Sequence, residues 1–331
     1  MIKQFFAAIL LSLIFAIPAH SQEKSILTIY TYDSFSSEWG PGPALKTEFE
    51  KTCNCTLKWV SASSSISALR KIQLEGDKSK ADILLGLDSS IISKGETTSL
   101  FANHGVDEND IMLPNDWRSD IFIPFDYGYF AFIYNSEKLK NPPSSFVELA
   151  NMGDDFKILI QDPRSSTPGF GLMLWLRAAY GEKSNEMWAN IAPHIITVTR
   201  SWGEAYSLFL KDEADMVLSY STSPAYHKFA EDDERYKAAN FTEGHYLQIE
   251  VAGILAKSKN KSLAKEFLEF LISKKAQEII PTTNWMFPVV DIGLPESFDG
   301  LISPHDVLMF DGKEIEKNSQ KWIDEMFKSI E

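Results

Sequence analysis

Residues 124–135 read PFDYGYFAFIYN, and the architecture turns on how this stretch is read. Phe125, Tyr127, Tyr129, Ala131 and Ile133 alternate with Asp126, Gly128, Phe130, Phe132 and Tyr134, so both sides of an extended chain are apolar along most of its length. Strands of that kind are covered on two faces. The run also exceeds the usual strand of about five or six residues. It stands between two blocks that each alternate strand and helix. A long, doubly covered strand at such a boundary crosses from one lobe into another; a central strand of one large sheet is the simpler alternative. Residues 245–256, HYLQIEVAGILA, have the same character and supply a return crossing. Two crossings build two lobes from a discontinuous chain, with a cleft between them. The expected division is residues 22–124 plus about 250–290 in one lobe, 125–249 in the other, and 291–331 as a C-terminal support helix.

The chain has 331 residues, too many for one ordinary core and suited to two lobes of roughly 150 each. Charged residues make up 24% and hydrophobic ones 44%, the balance of a globular protein rather than a disordered one. The formal net charge of −14 makes nucleic acid and anionic lipid poor partners and suits a cationic ligand. The N-terminus departs from the average. A short basic start (MIKQ), an apolar run over 5–17 and a small-residue exit with Ala19 and Ser21 spaced as in A-x-A form a secretory signal peptide, with cleavage expected after Ser21. The apolar run is too short to span a bilayer comfortably, and no cysteine follows it to carry a lipid. Export to a soluble compartment is expected. Both cysteines lie together in Cys53-Asn54-Cys55. A local disulfide pinning a helix end is the favoured reading, because a metal site needs more ligands and a catalytic thiol needs exposure.

Along the chain, residues 26–32, 56–60 and 81–87 read as strands, with helices over 41–52 and from 61–65 onwards. The second of these helices carries Ile66, Leu69, Ile72 and Leu74 near helical spacing. Beyond the first crossing, helices over 144–151, 168–180, 202–210 and 223–230 alternate with strands over 156–161, 195–199 and 215–220. Helices over 262–272, 273–280 and 312–330 follow the return crossing. This alternation belongs to α/β sheets covered by helices.

Ligands of open α/β sheets bind beyond the carboxyl ends of the strands. Those positions hold Tyr32, Asp33 and Trp39; the serine run 61–65 including Ser64; Asp88; then Arg164, Ser166, Trp202, Tyr220, Ser223 and Tyr226, with Trp285 in a later loop. Aromatic faces suit a flat ring and attract a cation, and serines at helix starts offer hydroxyls and free N–H groups to an anion. A planar ligand, cationic or phosphorylated, is expected. Each residue has an ordinary reading as well: tryptophans fill cores, serines cap helices, and Arg164 holds its own loop. Catalytic signatures are missing. The six histidines lack metal-ligand spacing, no nucleophile elbow or phosphate loop occurs, and His227 reads as a surface or packing residue rather than a base.

The strings YTYDSFSSEWGPGP, CNC, SKADILLGLD, FIPFDYGYFAFIY, QDPRSSTPG, SWGEAYSLFLKDEADMVLSYSTSPAYH, FTEGHYLQIEVA and IPTTNWMFPV resemble the periplasmic thiamine-binding proteins of bacterial ABC importers, in order from about Ile26 to Val289. The resemblance implies a type II periplasmic binding fold, two lobes joined by two crossings, that closes over thiamine or its mono- or diphosphate without a cofactor. It implies delivery to a permease driven by a cytoplasmic ATPase, with a monomer sufficient for the task. Tyr32, Trp39, Trp202, Tyr226 and Trp285 would then stack on the ligand rings, and Ser166, Tyr220 and Ser223 would bond its polar atoms. Where the family leads us to expect an acid after the second strand, this chain has Ser64; Asp33, Asp88 or Asp126 would have to supply the missing negative charge. Two other readings share the fold. A thiamine-cleaving enzyme needs a cleft cysteine nucleophile. An Fe(III)-binding protein needs converging tyrosine phenolates, with Tyr220 and Tyr226 as candidates.

Overall fold

The computed structural model describes residues 24–92 and 99–331; residues 1–21, read above as a signal peptide, lie outside them. The first strands are β1 (Ser25–Tyr32), β2 (Cys55–Ala62) and β3 (Ile83–Asp88), linked by the helices Gly42–Phe49 and Ser65–Glu75. They run parallel, with β1 in the middle. The long strand is β4 (Phe122–Asn135). After it come β5 (Ile158–Gln161), β6 (Ile195–Thr199), β7 (Met216–Tyr220), the short β8 (Tyr236–Ala238) and β9 (His245–Ile254). The spatial order is β2-β1-β3-β9-β4-β7-β5-β6.

β4 is where one lobe becomes the other. Over Phe122–Tyr129 it pairs antiparallel with β9, and from Phe130 to Tyr134 it pairs with β7. The change of partner falls between two adjacent residues, so both crossings pass through one narrow waist. Each half of the strand is covered on both faces. Phe125 and Ile123 join Leu27, Ile29 and Phe267, while Phe122 and Tyr129 join Tyr30, Leu84 and Leu247 on the other side. In the second half Phe130 and Phe132 pack with Trp175 and Phe146, and Ile133 packs with Phe209 across the sheet. This two-sided cover is why the strand carries almost no polar side chain.

Three local expectations are corrected. Ser61 and Ala62 extend β2, and the helix Ser65–Glu75 is capped by Ser64, whose Oγ accepts from the Ser67 amide at 3.1 Å. Leu74 is 88% exposed, whereas Ala68, Leu69 and Ile72 face the core. Two residues beyond Ile72 is a turn of about 200° around the helix, which points Leu74 away from the apolar face. Ser184–Ile191 forms a helix that the sequence reading did not include, with Trp188 and Ile191 buried. The tail helix Gly312–Ile330 sets Ile315, Trp322, Ile323 and Met326 into the second-lobe core. Its Glu325 pairs with the buried guanidinium of Arg177. Among the described residues no helix is long and apolar enough to cross a membrane.

Cys53 and Cys55 are joined in a disulfide. Cys55 pairs with Ser25 at the start of β1, at the opposite end of the strands from Tyr32 and Ala62. So small a ring constrains the unfolded chain little, by about 2 kcal/mol or less. Reduction therefore lowers the melting temperature slightly and leaves ligand affinity unchanged within about twofold. Titrating oxidised and reduced protein side by side checks this.

Candidate functional site

The register of three neighbouring strands brings acids into line. Asp88 on β3 lies opposite Glu250 on β9, and Glu250 lies opposite Asp126 on β4. Directly opposed residues point to the same face of a sheet. The three carboxylates thus form a row across the waist, at exposures of 2%, 7% and 0%. Like charges in that arrangement repel, and burial removes the water that would screen them. The groups acting on them most strongly include no lysine or arginine. Burial pushes the Asp88 carboxyl up to about 6. Burial also raises Asp126 and Glu250, and for Glu250 the charge of Asp126 adds to it.

Hydrogen bonds hold the row in place without neutralising it. Asn284 donates from Nδ2 to Asp126 Oδ2 at 2.6 Å, and the Tyr32 hydroxyl donates to Glu250 Oε2 at 2.8 Å. Gln248, two residues along β9, donates to Glu250 Oε1 at 3.2 Å. Asp88 Oδ1 accepts from the Ser90 amide at 2.6 Å. Asp88 Oδ2, Asp126 Oδ1 and Gln248 Oε1 are buried acceptors without a hydrogen bond of ordinary geometry, although Glu250 stands beside Asp126 and the Tyr220 phenol beside Gln248. Buried polar atoms are nearly always satisfied. Unsatisfied acceptors beside carboxyls that hold their protons until a positive charge arrives describe a place for a cation that carries N–H or O–H donors.

Glycine at 86 lets the Tyr32 ring reach the row: a Cβ there would lie 2.4 Å from Tyr32 Cε1, and the backbone is left-handed at φ +94°. The Tyr220 phenol faces Glu250, Asp88, Gln248 and Asp126 from the second lobe, with its ring 5.4 Å from Phe130. Burial and those acids raise both phenols far above the ordinary tyrosine value, so both stay protonated donors.

The lobes meet above this floor. Ser65 Oγ and Thr167 Oγ1 lie 3.0 Å apart, joining the starts of two helices from opposite lobes. The rings of Tyr226 and Trp285 meet edge to face at 5.4 Å, and Phe229 approaches Trp285 at 5.6 Å. Trp285 holds its ring there from a left-handed backbone at φ +57°, a conformation that costs a non-glycine residue about 1–2 kcal/mol. Strain of this kind collects at ligand clamps.

Of the nine residues singled out from sequence, the structure ties together Tyr32 and Tyr220 at the floor, Tyr226 and Trp285 at the lobe contact, and Trp202 with Ser223. Trp202 Nε1 donates to Ser219 Oγ at 2.7 Å, and Ser219 Oγ lies 2.7 Å from Ser223 Oγ. Ser166 is buried at the start of the helix Thr167–Tyr180, next to the Ser65–Thr167 contact. Ser64 is a cap. Trp39 is 60% exposed and has no ring partner among the described residues. Arg164 forks onto Asp162, with Nη2 at 2.6 Å, and lies over Phe327, so it holds its loop. Of the three acids named as substitutes for a carboxylate at Ser64, Asp88 and Asp126 are in the row and Asp33 is on the surface.

Glu250, Gln248 and Asn284 were missed by the sequence reading. Their signal was present: Gln248 and Glu250 are polar at i and i+2 within an apolar strand, which puts both on one face.

Two chemistries find no footing. Both cysteines are consumed by the disulfide, leaving no thiol for nucleophilic cleavage. The Tyr226 hydroxyl is committed to Glu231 at 3.1 Å, whereas the Tyr220 phenol faces the acid row. Among the described residues no three of His, Cys, Asp and Glu are arranged to hold a metal ion.

A two-lobed α/β fold with a row of buried acids and unsatisfied acceptors at the junction of its lobes has the build of a solute-binding protein. The comparisons with known proteins agree. Residues 38–278 match the family described as bacterial extracellular solute-binding protein, and the chain belongs to it. It is 47% identical over 330 residues to the thiamine-binding periplasmic protein of Salmonella typhimurium, covering 100% of this chain and 99% of that one. It is 48% identical over 307 residues to the protein of the same name from Escherichia coli, covering 93% and 94%. A solved structure titled periplasmic thiamin binding protein superimposes with a TM-score of 0.91 at 48% identity, covering 95% of this chain and 99% of that one.

Proposed function

We propose that this protein is a periplasmic receptor for thiamine and its mono- and diphosphate, without enzymatic activity, which closes over the vitamin and delivers it to an ABC permease driven by a cytoplasmic ATPase. The observation that carries the reading is the row Asp88–Glu250–Asp126. A thiazolium cation bearing an aminopyrimidine supplies the positive charge and the N–H donors that the row and its orphaned acceptors call for. Aromatic walls fit its flat rings. The hydroxyls at the helix starts, around Ser65, Ser166 and Thr167, suit a phosphate tail. The receptor acts as a monomer after removal of residues 1–21, and closure is the signal the permease reads: ligand touching both lobes stabilises the closed state.

Thiamine affinity is expected to rise with pH. In the closed cleft the carboxyl pKa values are raised, so the acids hold protons at pH values where free carboxylates have none. A bound cation favours the charged forms and expels those protons. By linkage, binding strengthens as pH climbs from about 5 to 7 and weakens on acidification. Calorimetry at pH 6.5 in two buffers of different ionisation enthalpy measures the proton count directly. Net release supports the reading; net uptake contradicts it.

Ser64→Asp is expected to leave stability within about 0.5 kcal/mol, because Asp and Ser cap helices equally well. The added carboxylate lies near the phosphate-binding hydroxyls. It should shift the ratio of thiamine to thiamine diphosphate affinity in favour of thiamine by about threefold or more. An unchanged ratio would show that Ser64 has no part in ligand choice.

A further inference from the structure

We propose that His227, together with Glu231, is the positioning residue of the second-lobe wall: it fixes Tyr226 and Trp202 from behind and never touches the ligand. The proposal rests on the thiamine-receptor reading of the cleft. His227 is fully buried. Its Nδ1 lies 2.7 Å from Glu231 Oε2 and its Nε2 lies 2.9 Å from the Tyr206 hydroxyl. A carboxylate only accepts, so Nδ1 carries the proton, and Nε2 accepts from Tyr206. Burial lowers the imidazole's pKa against the raising effect of Glu231, which keeps this neutral tautomer at pH 7. The titratable groups facing the ring are Tyr206, Tyr226, Glu231, Asp233, Arg235 and Tyr236.

From this one imidazole two branches reach the cleft. Glu231 Oε1 accepts the Tyr226 hydroxyl at 3.1 Å, and Tyr226 carries its ring to Trp285. Tyr206 stacks on Trp202, with centroids 5.0 Å apart and planes at 28°, while Trp202 donates to Ser219. Ser219 Oγ lies 2.7 Å from Ser223 Oγ, which accepts the Tyr220 amide at 3.3 Å. The Tyr236 ring stacks on the imidazole at 4.0 Å and 29° while the Tyr206 hydroxyl holds its Nε2 edge, so the imidazole cannot tilt without unpacking the one and breaking the bond to the other. Trp202 and Tyr226 are therefore set by the same group although they sit on different helices, Trp202–Leu210 and Ser223–Ala230.

Four variants of the full mature chain test this: H227F, H227N, H227Q and Y226F, each checked by circular dichroism and titrated with thiamine at pH 7.5. Phe keeps the ring stack and loses both hydrogen bonds, so H227F weakens binding about tenfold. Asn reproduces the Nδ1 donor and Gln the Nε2 acceptor, so each recovers part of the loss. The deciding comparison is the H227F/Y226F double variant. If His227 works through Tyr226, the double variant binds within about twofold of H227F alone. Additive losses, or wild-type affinity in H227F, overturn the proposal. A ligand-free measurement separates this outcome from a failure of the thiamine reading. H227F increases acrylamide quenching of tryptophan fluorescence in an otherwise wild-type chain and leaves it unchanged in a W202F/W285F chain, which lacks the indoles at the ends of both branches. A difference that persists without both Trp202 and Trp285 overturns the proposal whether or not thiamine binds.

Discussion

Replacing Asp126 by Asn and Glu250 by Gln together is expected to weaken thiamine binding on the order of 100-fold while making the protein more stable. Loss of a buried, hydrogen-bonded charge from the partner of a cation costs about 3 kcal/mol, which converts to that factor. The stability change has the opposite sign because the two acids face each other across β9 and β4 with Asp88 on the far side. The amides keep the shape and the bonds to Asn284 and Tyr32 but remove the repulsion. The pH dependence distinguishes this from a general repair of packing. A carboxyl whose folded pKa is raised binds more protons folded than unfolded, so its contribution to stability falls as pH rises. That penalty is absent below the ordinary carboxyl value and grows to its full size above the raised one. Thermal denaturation should show the double variant gaining on wild type between about pH 4 and 7, with little difference at the acid end. A variant less stable than wild type at neutral pH would mean that the row is a structural network rather than a binding floor.

The second large effect concerns Trp285. Removing its ring in W285A is expected to weaken thiamine about 10- to 100-fold, since aromatic stacking on a heterocycle is worth about 1–3 kcal/mol. The informative partner is W285G. At most positions glycine is less stable than alanine, because it loses more freedom on folding. At φ +57° the order reverses: alanine retains the left-handed strain and glycine does not. W285G should therefore bind as poorly as W285A yet exceed it in stability by about 1 kcal/mol. Equal stabilities would show that the backbone carries no strain there, and near-native binding by either variant would remove Trp285 from the ligand wall.

The fold was legible because its deciding strand has an unusual signature. Two-sided apolarity over 124–135 fits little besides a strand buried on both faces, and the helix starts at Ser223 and Trp202 are marked by proline and serine where the structure begins its helices. The tail was legible as an amphipathic helix, but periodicity reveals a buried face and not the surface that buries it, and the second-lobe core around Trp322 could not be named in advance. The site was legible in its rim and hidden in its floor. Strand ends announce themselves, so Tyr32, Tyr220, Ser223 and Tyr226 could be collected from the chain order. The acid row is written in strand register: residues 88, 126 and 250 meet only once β3, β9 and β4 are aligned, and the bulge between Pro124 and Asp126 helps decide which residues face each other. Asp88 and Asp126 were suspected as isolated charges. Glu250 was concealed by the apolar run around it. Trp285 stood out in the sequence for its ring, but nothing in an Asn-Trp-Met string marks a left-handed backbone.

The most direct test of a thiamine receptor with an acidic floor is calorimetric titration of the mature chain, unfolded and refolded to strip carried-over ligand, with thiamine, its mono- and diphosphate, and Fe(III) in separate runs. The expected result is saturable binding of thiamine forms at one site, proton release on binding, loss of affinity in the Asp126→Asn/Glu250→Gln variant, and no uptake of iron. Binding of none of the three thiamine forms, or thiamine binding indifferent to the removal of both acids, would contradict it.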